Sequence, residues 1–89
     1  MMQEISVTLT RKLVTRKLAP AQIRQLVREA NRFDSYILIE ANNQQINVKN
    51  PLSAMSVFPA IEGRPILVRA TGADAEQALD RLCRYLREE

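Results

Sequence analysis

The stretch Ile46-Asn47-Val48-Lys49-Asn50-Pro51-Leu52-Ser53-Ala54-Met55-Ser56 reads as a short strand that stops at Asn50 and turns at once into a helix. Ile46 and Val48 alternate with polar residues, the period of a half-buried strand. Asn50 can cap a helix with its side-chain oxygen. Pro51 suits the first helical position, where a missing N–H costs nothing. A second stretch, Ile66-Leu67-Val68-Arg69-Ala70-Thr71-Gly72-Ala73-Asp74-Ala75-Glu76-Gln77-Ala78-Leu79, gives strand, turn and helix again.

On the N-terminal side, residues 4–10 alternate, with Ile5, Val7 and Leu9 on one face and Ser6, Thr8 and Thr10 on the other. That spacing predicts a strand. From Pro20 the period changes: Ile23, Leu26, Val27 and Ala30 form one helical stripe, fading near Asn31 to Phe33. Tyr36 to Glu40 reads as a second strand, and Ala41-Asn42-Asn43-Gln44 as a hairpin, because Asn tolerates positive φ. Phe58-Pro59 is expected to end the middle helix, and Gly63 and Pro65 mark the turn into the strand Ile66 to Ala70. The last helix opens at Asp74, with Gln77 three residues on in the manner of a capping box. Ala75, Ala78, Leu79, Leu82, Cys83 and Leu86 give it an apolar stripe. The order is β-α-β-β-α-β-α, which predicts an open-faced α+β sandwich.

At 89 residues, 46% of them hydrophobic, the chain can bury one modest core, so residues 1–89 are expected to form a single domain. No apolar run approaches the ~18 residues of a membrane helix. Met1-Met2-Gln3-Glu4 shows no secretory signal, and a cytoplasmic address is expected. Cys83 has no partner and falls on the apolar stripe, so a buried thiol is expected. With no histidine and only two glycines, no general base, metal site or phosphate-binding glycine loop is expected, and no cofactor. The net charge of +3 is uneven: residues 11–32 hold Arg11, Lys12, Arg16, Lys17, Arg24, Arg28 and Arg32 against Glu29 alone, 7 − 1 = +6, leaving −3 elsewhere. That asymmetry points to a negatively charged partner.

Val48-Lys49-Asn50 with Met55-Ser56, then Gly72-Ala73-Asp74 and Ala78-Leu79, together with the order of elements and the chain length, resemble HPr, the small phosphocarrier of the bacterial sugar phosphotransferase system. The resemblance, not the periodicity, implies the strand pairing: a four-stranded antiparallel sheet with three helices on one face. In HPr-like carriers a motif close to Gly-Leu-His-x-Arg-Pro opens the first helix. Its histidine takes the phosphoryl group, and the helix N-terminus and the arginine stabilise the anion. Here that region is duplicated, Thr10-Arg11-Lys12-Leu13-Val14 being followed by Thr15-Arg16-Lys17-Leu18-Ala19, which predicts a basic loop four or five residues longer than the family's. Matched on residue identity, Val14 stands in the histidine position and Lys17 in that of proline. Matched on the helix stripe, Ala19 stands there, and this fit needs no gap downstream. Neither side chain can carry a phosphoryl group. Thr10 and Thr15 are hydroxyls in the basic segment, but a threonine ester lacks the high-energy N–P bond that a relay requires. The family's regulatory serine, which caps the middle helix, is matched by Asn50, which keeps the cap and loses the hydroxyl.

Three surfaces could bind. Arg24, Arg28 and Arg32 line one face of the first helix at i+4 spacing. They are read either as a solvated face or, for Arg24 and Arg28 with Arg16, Lys17 and the N–H groups near Pro20, as a site for an anion or an acidic partner. Nucleic acid is not expected, because no aromatic stacking residues accompany the charge. On the outer face of the sheet, Tyr36, Leu38 and Leu67 would form an apolar patch suited to a homodimer or other partner. In the middle helix, Leu52 and Phe58 are expected to be exposed docking residues, as the resemblance implies for that region. The chain is thus expected to be a regulatory protein-binding module without phosphocarrier activity and not an enzyme. A homo-oligomerising module and a carrier with a non-histidine acceptor are the alternatives.

Overall fold

In a computed structural model the described residues are 6–87, with elements β1 (Val7–Val14), α1 (Pro20–Asn31), β2 (Tyr36–Ala41), β3 (Gln44–Asn47), α2 (Pro51–Ile61), β4 (Pro65–Gly72) and α3 (Ala75–Arg87). The sheet is antiparallel throughout in the order β1-β4-β2-β3, and the helices cover one face. β4 is central to the packing. It pairs with β1 from Val7↔Gly72 to Val14↔Pro65 and with β2 from Tyr36↔Thr71 to Glu40↔Leu67. Ile66, Val68 and Ala70 of β4 and Ile37 and Ile39 of β2 point into the core, where they meet Ile23, Leu26 and Ala30 of α1 and Ala78, Leu82, Cys83 and Leu86 of α3. Each large aliphatic side chain so buried contributes about 1.5–3 kcal/mol. Asn42 and Asn43 both have positive φ, 52° and 63°, so they form the two-residue turn that the hairpin needs.

Three expectations from sequence are corrected. First, β1 runs to Val14, so the first copy of the duplication is strand and only residues 15–19 are loop. Leu13 is buried under the helices, and Arg11, on the same face, reaches Asp80 of α3 at 2.8 Å, so a charged residue inside the alternation still finds a partner. Val7, expected inward, is exposed, and Ile5 lies outside the described residues.

Second, α2 passes through Pro59 to Ile61 instead of ending at Phe58-Pro59. An interior proline can cost about 3 kcal/mol. Here it falls in the last turn, where its ring is exposed while Phe58 and Ile61 are buried on the other side. Two such burials offset the loss.

Third, Asp74 forms no capping box with Gln77. Its carboxylate accepts the N–H groups of Asp34 and Ser35, each at 2.9 Å, and the Ser35 hydroxyl. This clamp ties the start of α3 to the turn between α1 and β2. Gly72 lies against it at φ 151°, and a Cβ there would fall 2.4 Å from Ser35 Oγ and 2.8 Å from Ser35 Cα.

Removing the clamp in Asp74→Ala should lower unfolding free energy by about 2 kcal/mol, the loss of charge-assisted bonds to groups that are partly buried. Gly72→Ala should cost a comparable amount through the clash with Ser35; urea titrations of both variants measure this. The bonds from Ser35 and Asp34 hold the Asp74 carboxyl below its ordinary range. The stability they give is therefore present above the unfolded pKa, about 4, and lost as pH falls through the lower folded value. Thermal melts across that window should show a steeper acid loss for the wild type than for Asp74→Asn.

Candidate functional site

The start of α1 is the first place where anion chemistry could sit, because helix N-termini present unpaired N–H groups. Val14 is the last residue of β1, paired with Pro65, so it does not open the helix. Ala19 does, as the N-cap with φ −70° and ψ 158°, followed by Pro20 at the first helical position. A methyl group there offers neither lone pair nor nucleophile. The N–H groups are also largely occupied. Ala19 N–H donates to Gln22 Oε1 at 2.8 Å, and the N–H groups of Gln22 and Ile23 both donate to the Ala19 carbonyl. Pro20 has no N–H, which leaves that of Ala21 without a partner among the described residues.

The loop before the helix is pinned where it leaves β1. Thr15 is buried; its carbonyl accepts from Gly63 N–H at 3.1 Å and its hydroxyl donates to the Arg16 carbonyl. Arg16 is engaged by the end of α3. Its backbone N–H donates to the Leu86 carbonyl, its Nε donates to the Tyr85 carbonyl at 3.1 Å, and its guanidinium stacks 5.3 Å from the centre of the Tyr85 ring. The cation thus caps the negative end of α3. Tyr85 in turn donates its hydroxyl to the Gln22 carbonyl. Of the expected anion group, Arg16 is spent on α3, while Lys17 and Arg24 remain exposed. Gln22 and Tyr85 were not among the expected site residues. A glutamine three residues after the N-cap was a visible signal for the first; nothing local marks the second.

At α2, Asn50 is the N-cap, and its side chain accepts from Leu52 N–H at 3.0 Å and Ser53 N–H at 3.3 Å. Leu52 is 82% exposed, at the helix start. Phe58 is only 2% exposed and belongs to the core, so it is no docking residue. The reason is the continuation of the helix: the extra turn rolls Phe58 beneath it, beside Ala54 and Ile61. Arg24 and Arg28 are exposed on α1, as their spacing predicts.

On the outer face of the sheet, Tyr36 is 74% exposed, while Leu38 and Leu67 are half-buried. Leu38 pairs with Arg69 and Leu67 with Glu40, and Arg69 meets Glu40 at 2.6 Å. The ion pair separates the two leucines, so the three apolar residues share a face without forming a continuous patch. Among the described residues no group of His, Cys, Asp or Glu side chains could hold a metal ion, and no helix is long and apolar enough to cross a membrane.

The family described as "PTS HPr component phosphorylation site" matches residues 3–88. The HPr-like protein Crh of Bacillus subtilis is 35% identical over 63 residues, 71% of this chain and 73% of that one. The phosphocarrier protein HPr of Mycoplasma capricolum is 41% identical over 61 residues, 67% of this chain and 64% of that one. Among solved structures, HPr of Bacillus anthracis aligns with a TM-score of 0.81 at 31% identity, over 90% of this chain and 98% of the other. A crystal structure of Crh of Bacillus subtilis, described as a swapped dimer and as a catabolite repression protein, aligns with a TM-score of 0.69 at 27% identity, over 100% of this chain and 95% of the other. Sequence and architecture agree, and the chain belongs to the HPr family of the bacterial phosphotransferase system.

Proposed function

We propose that this chain is a cytoplasmic HPr-family regulator that binds a protein partner and carries no phosphoryl group. The observation behind this reading is Ala19 at the N-cap of α1, in a chain without histidine, with its N–H already taken by Gln22. A carrier must hold its phosphoryl group on an atom that passes it on, and beside the helix start no such atom is present. The alternative acceptors are poorly placed. Thr15 is buried and Thr10 lies on the outer face of the sheet. Asn50 gives α2 its cap permanently, with no hydroxyl to modify, so phosphorylation at that position would not regulate this protein.

What remains for recognition is an exposed leucine at the start of α2 beside the arginines of α1. Leu52 can anchor a partner by burial, and Arg24 and Arg28 can steer an acidic surface towards it. Crh, which is similar to this chain, is described as a catabolite repression protein, and regulation by binding is the corresponding role here.

Self-association is the second reading. Crh is described as a swapped dimer, and HPr of Thermoanaerobacter tengcongensis as a dimer. The outer sheet face offers a second copy Tyr36 and Leu38, with Leu67 beyond the Arg69–Glu40 pair.

Incubation with labelled phosphoenolpyruvate and the general enzyme of the phosphotransferase system should leave this protein unlabelled; incorporation would overturn the proposal. Affinity capture from native cytoplasm should retain a partner, and retention should fall by about tenfold or more in Leu52→Glu and in the double charge reversal Arg24→Glu with Arg28→Glu. Light scattering of the wild type and Leu38→Glu tests the second reading, which a monomer mass in both would remove.

A further inference from the structure

The crease between α1 and α3 holds an arrangement of charge that the function proposed above leaves unused. Glu29 is buried there, and a buried carboxylate is costly unless it is paired. It is paired from both helices. Arg32, the C-cap of α1, places Nη1 3.4 Å from Oε2, and Arg81 of α3 places Nη2 3.3 Å from Oε1, which Gln25 Nε2 also approaches at 3.2 Å. These bonds, that of Arg81 foremost, hold the Glu29 carboxyl below its ordinary range, so it is charged at neutral pH. The carboxylate keeps two guanidinium groups from separate helices side by side, where they would otherwise repel.

Each guanidinium carries five N–H donors. Here each gives one to Glu29, through a long bond, and the side chains of Arg32 and Arg81 are 70% and 50% exposed. Arg84, one turn further along α3, is exposed and makes no salt bridge among the described residues. Three guanidinium groups against one carboxylate leave 3 − 1 = +2 at the mouth of the crease. All three are arginine, whose planar fork takes a carboxylate through two parallel hydrogen bonds.

The shape decides between a compact and an extended ligand. Two hollows, of about 290 Å³ beside Phe33 and about 310 Å³ beside Tyr85, share Glu29 and Arg81. They form a trough along the helices that the Glu29–Arg81 pair crosses, with a half-buried aromatic ring beside each hollow. A trough with a hollow on each side of the pair suits an extended chain. Because α1 packs against both α2 and α3, the trough lies on the flank of α1 away from α2 and Leu52.

We propose that this crease binds an acidic segment of a partner protein, whose carboxylates pair with Arg32, Arg81 and Arg84 while Glu29 holds the first two in place. The site goes beyond the Leu52 surface and does not depend on that reading. A labelling result that overturned the binding-only role would leave it untouched.

The test is a titration of the intact ¹⁵N-labelled protein with a hexaglutamate peptide, followed by backbone amide shifts. Saturable shifts centred on Glu29, Arg32, Phe33, Arg81, Arg84 and Tyr85 are expected. Arg84→Glu, which removes no salt bridge of the described fold, should weaken binding about tenfold or more. Lys12→Glu makes the same change in net charge on the outer face of β1 and should alter the affinity by less than about twofold. The proposal is overturned by the absence of saturable binding, by shifts centred on Leu52 and Arg24, or by equal weakening in Lys12→Glu and Arg84→Glu. It is equally overturned if inorganic phosphate or a single-stranded oligonucleotide binds more tightly than the peptide, since the site would then serve a small oxyanion or a nucleic acid.

Discussion

The double pairing of β4 is the constraint on which the rest of this molecule depends. Each of its residues from Leu67 to Thr71 has a partner in β1 and another in β2, so its backbone hydrogen bonds are met within the sheet. Its alternate side chains, Ile66, Val68 and Ala70, are then committed to one face, and a slip of one residue would turn them to solvent. The helices pack on that face because the sheet offers no other continuous apolar surface. At the end of β4, Gly72 and Asp74 convert this register into the position of α3, through contacts with Ser35 that no larger residue at 72 would permit. The strand register thereby fixes where the last helix starts, and α3 in turn receives Arg16 at its end.

Much of this was legible in the chain. Alternation in Ile37, Ile39, Ile66, Val68 and Ala70, the stripe from Ile23 to Ala30, and the Asn-Asn turn each rest on local physics, and each reappears in the fold. The cap at Asn50 was legible for the same reason, since it involves residues two and three positions away. The errors came where local rules meet distant partners. Pro59 is a helix breaker by its own chemistry, but tertiary burial of Phe58 and Ile61 outweighs it. Arg11 and Lys12 look like loop residues until the full length of β4 is available to pair with them. Asp74 has the spacing of a capping residue, yet three donors in another segment compete for its carboxylate.

The candidate surfaces show the same division. The exposure of Leu52, Arg24 and Arg28 follows from where each lies on its own helix. The trough around Glu29 could not be read, because Arg81 lies 52 positions away in the sequence and only the packing of α1 on α3 brings the two together. In the sequence Glu29 is a solitary acid among arginines; in the fold it is what those arginines gather around. The break in the outer apolar face has a similar origin, since Arg69 and Glu40 meet only through the pairing of β2 with β4.

Gln22 sets what a histidine placed at position 19 would meet. An imidazole placed at position 19 would supply a nucleophile beside a helix start where, of the N–H groups of Ala19, Ala21, Gln22 and Ile23, only that of Ala21 is unpartnered, with Arg16 engaged at the end of another helix. Beyond that one N–H, a charged adduct formed there would have to displace the glutamine amide or detach Arg16 from Tyr85 to gain further stabilisation. The arrangement at this helix start thus rests on at least three side chains, Ala19, Gln22 and Arg16, and a change at position 19 alone leaves the other two as they are.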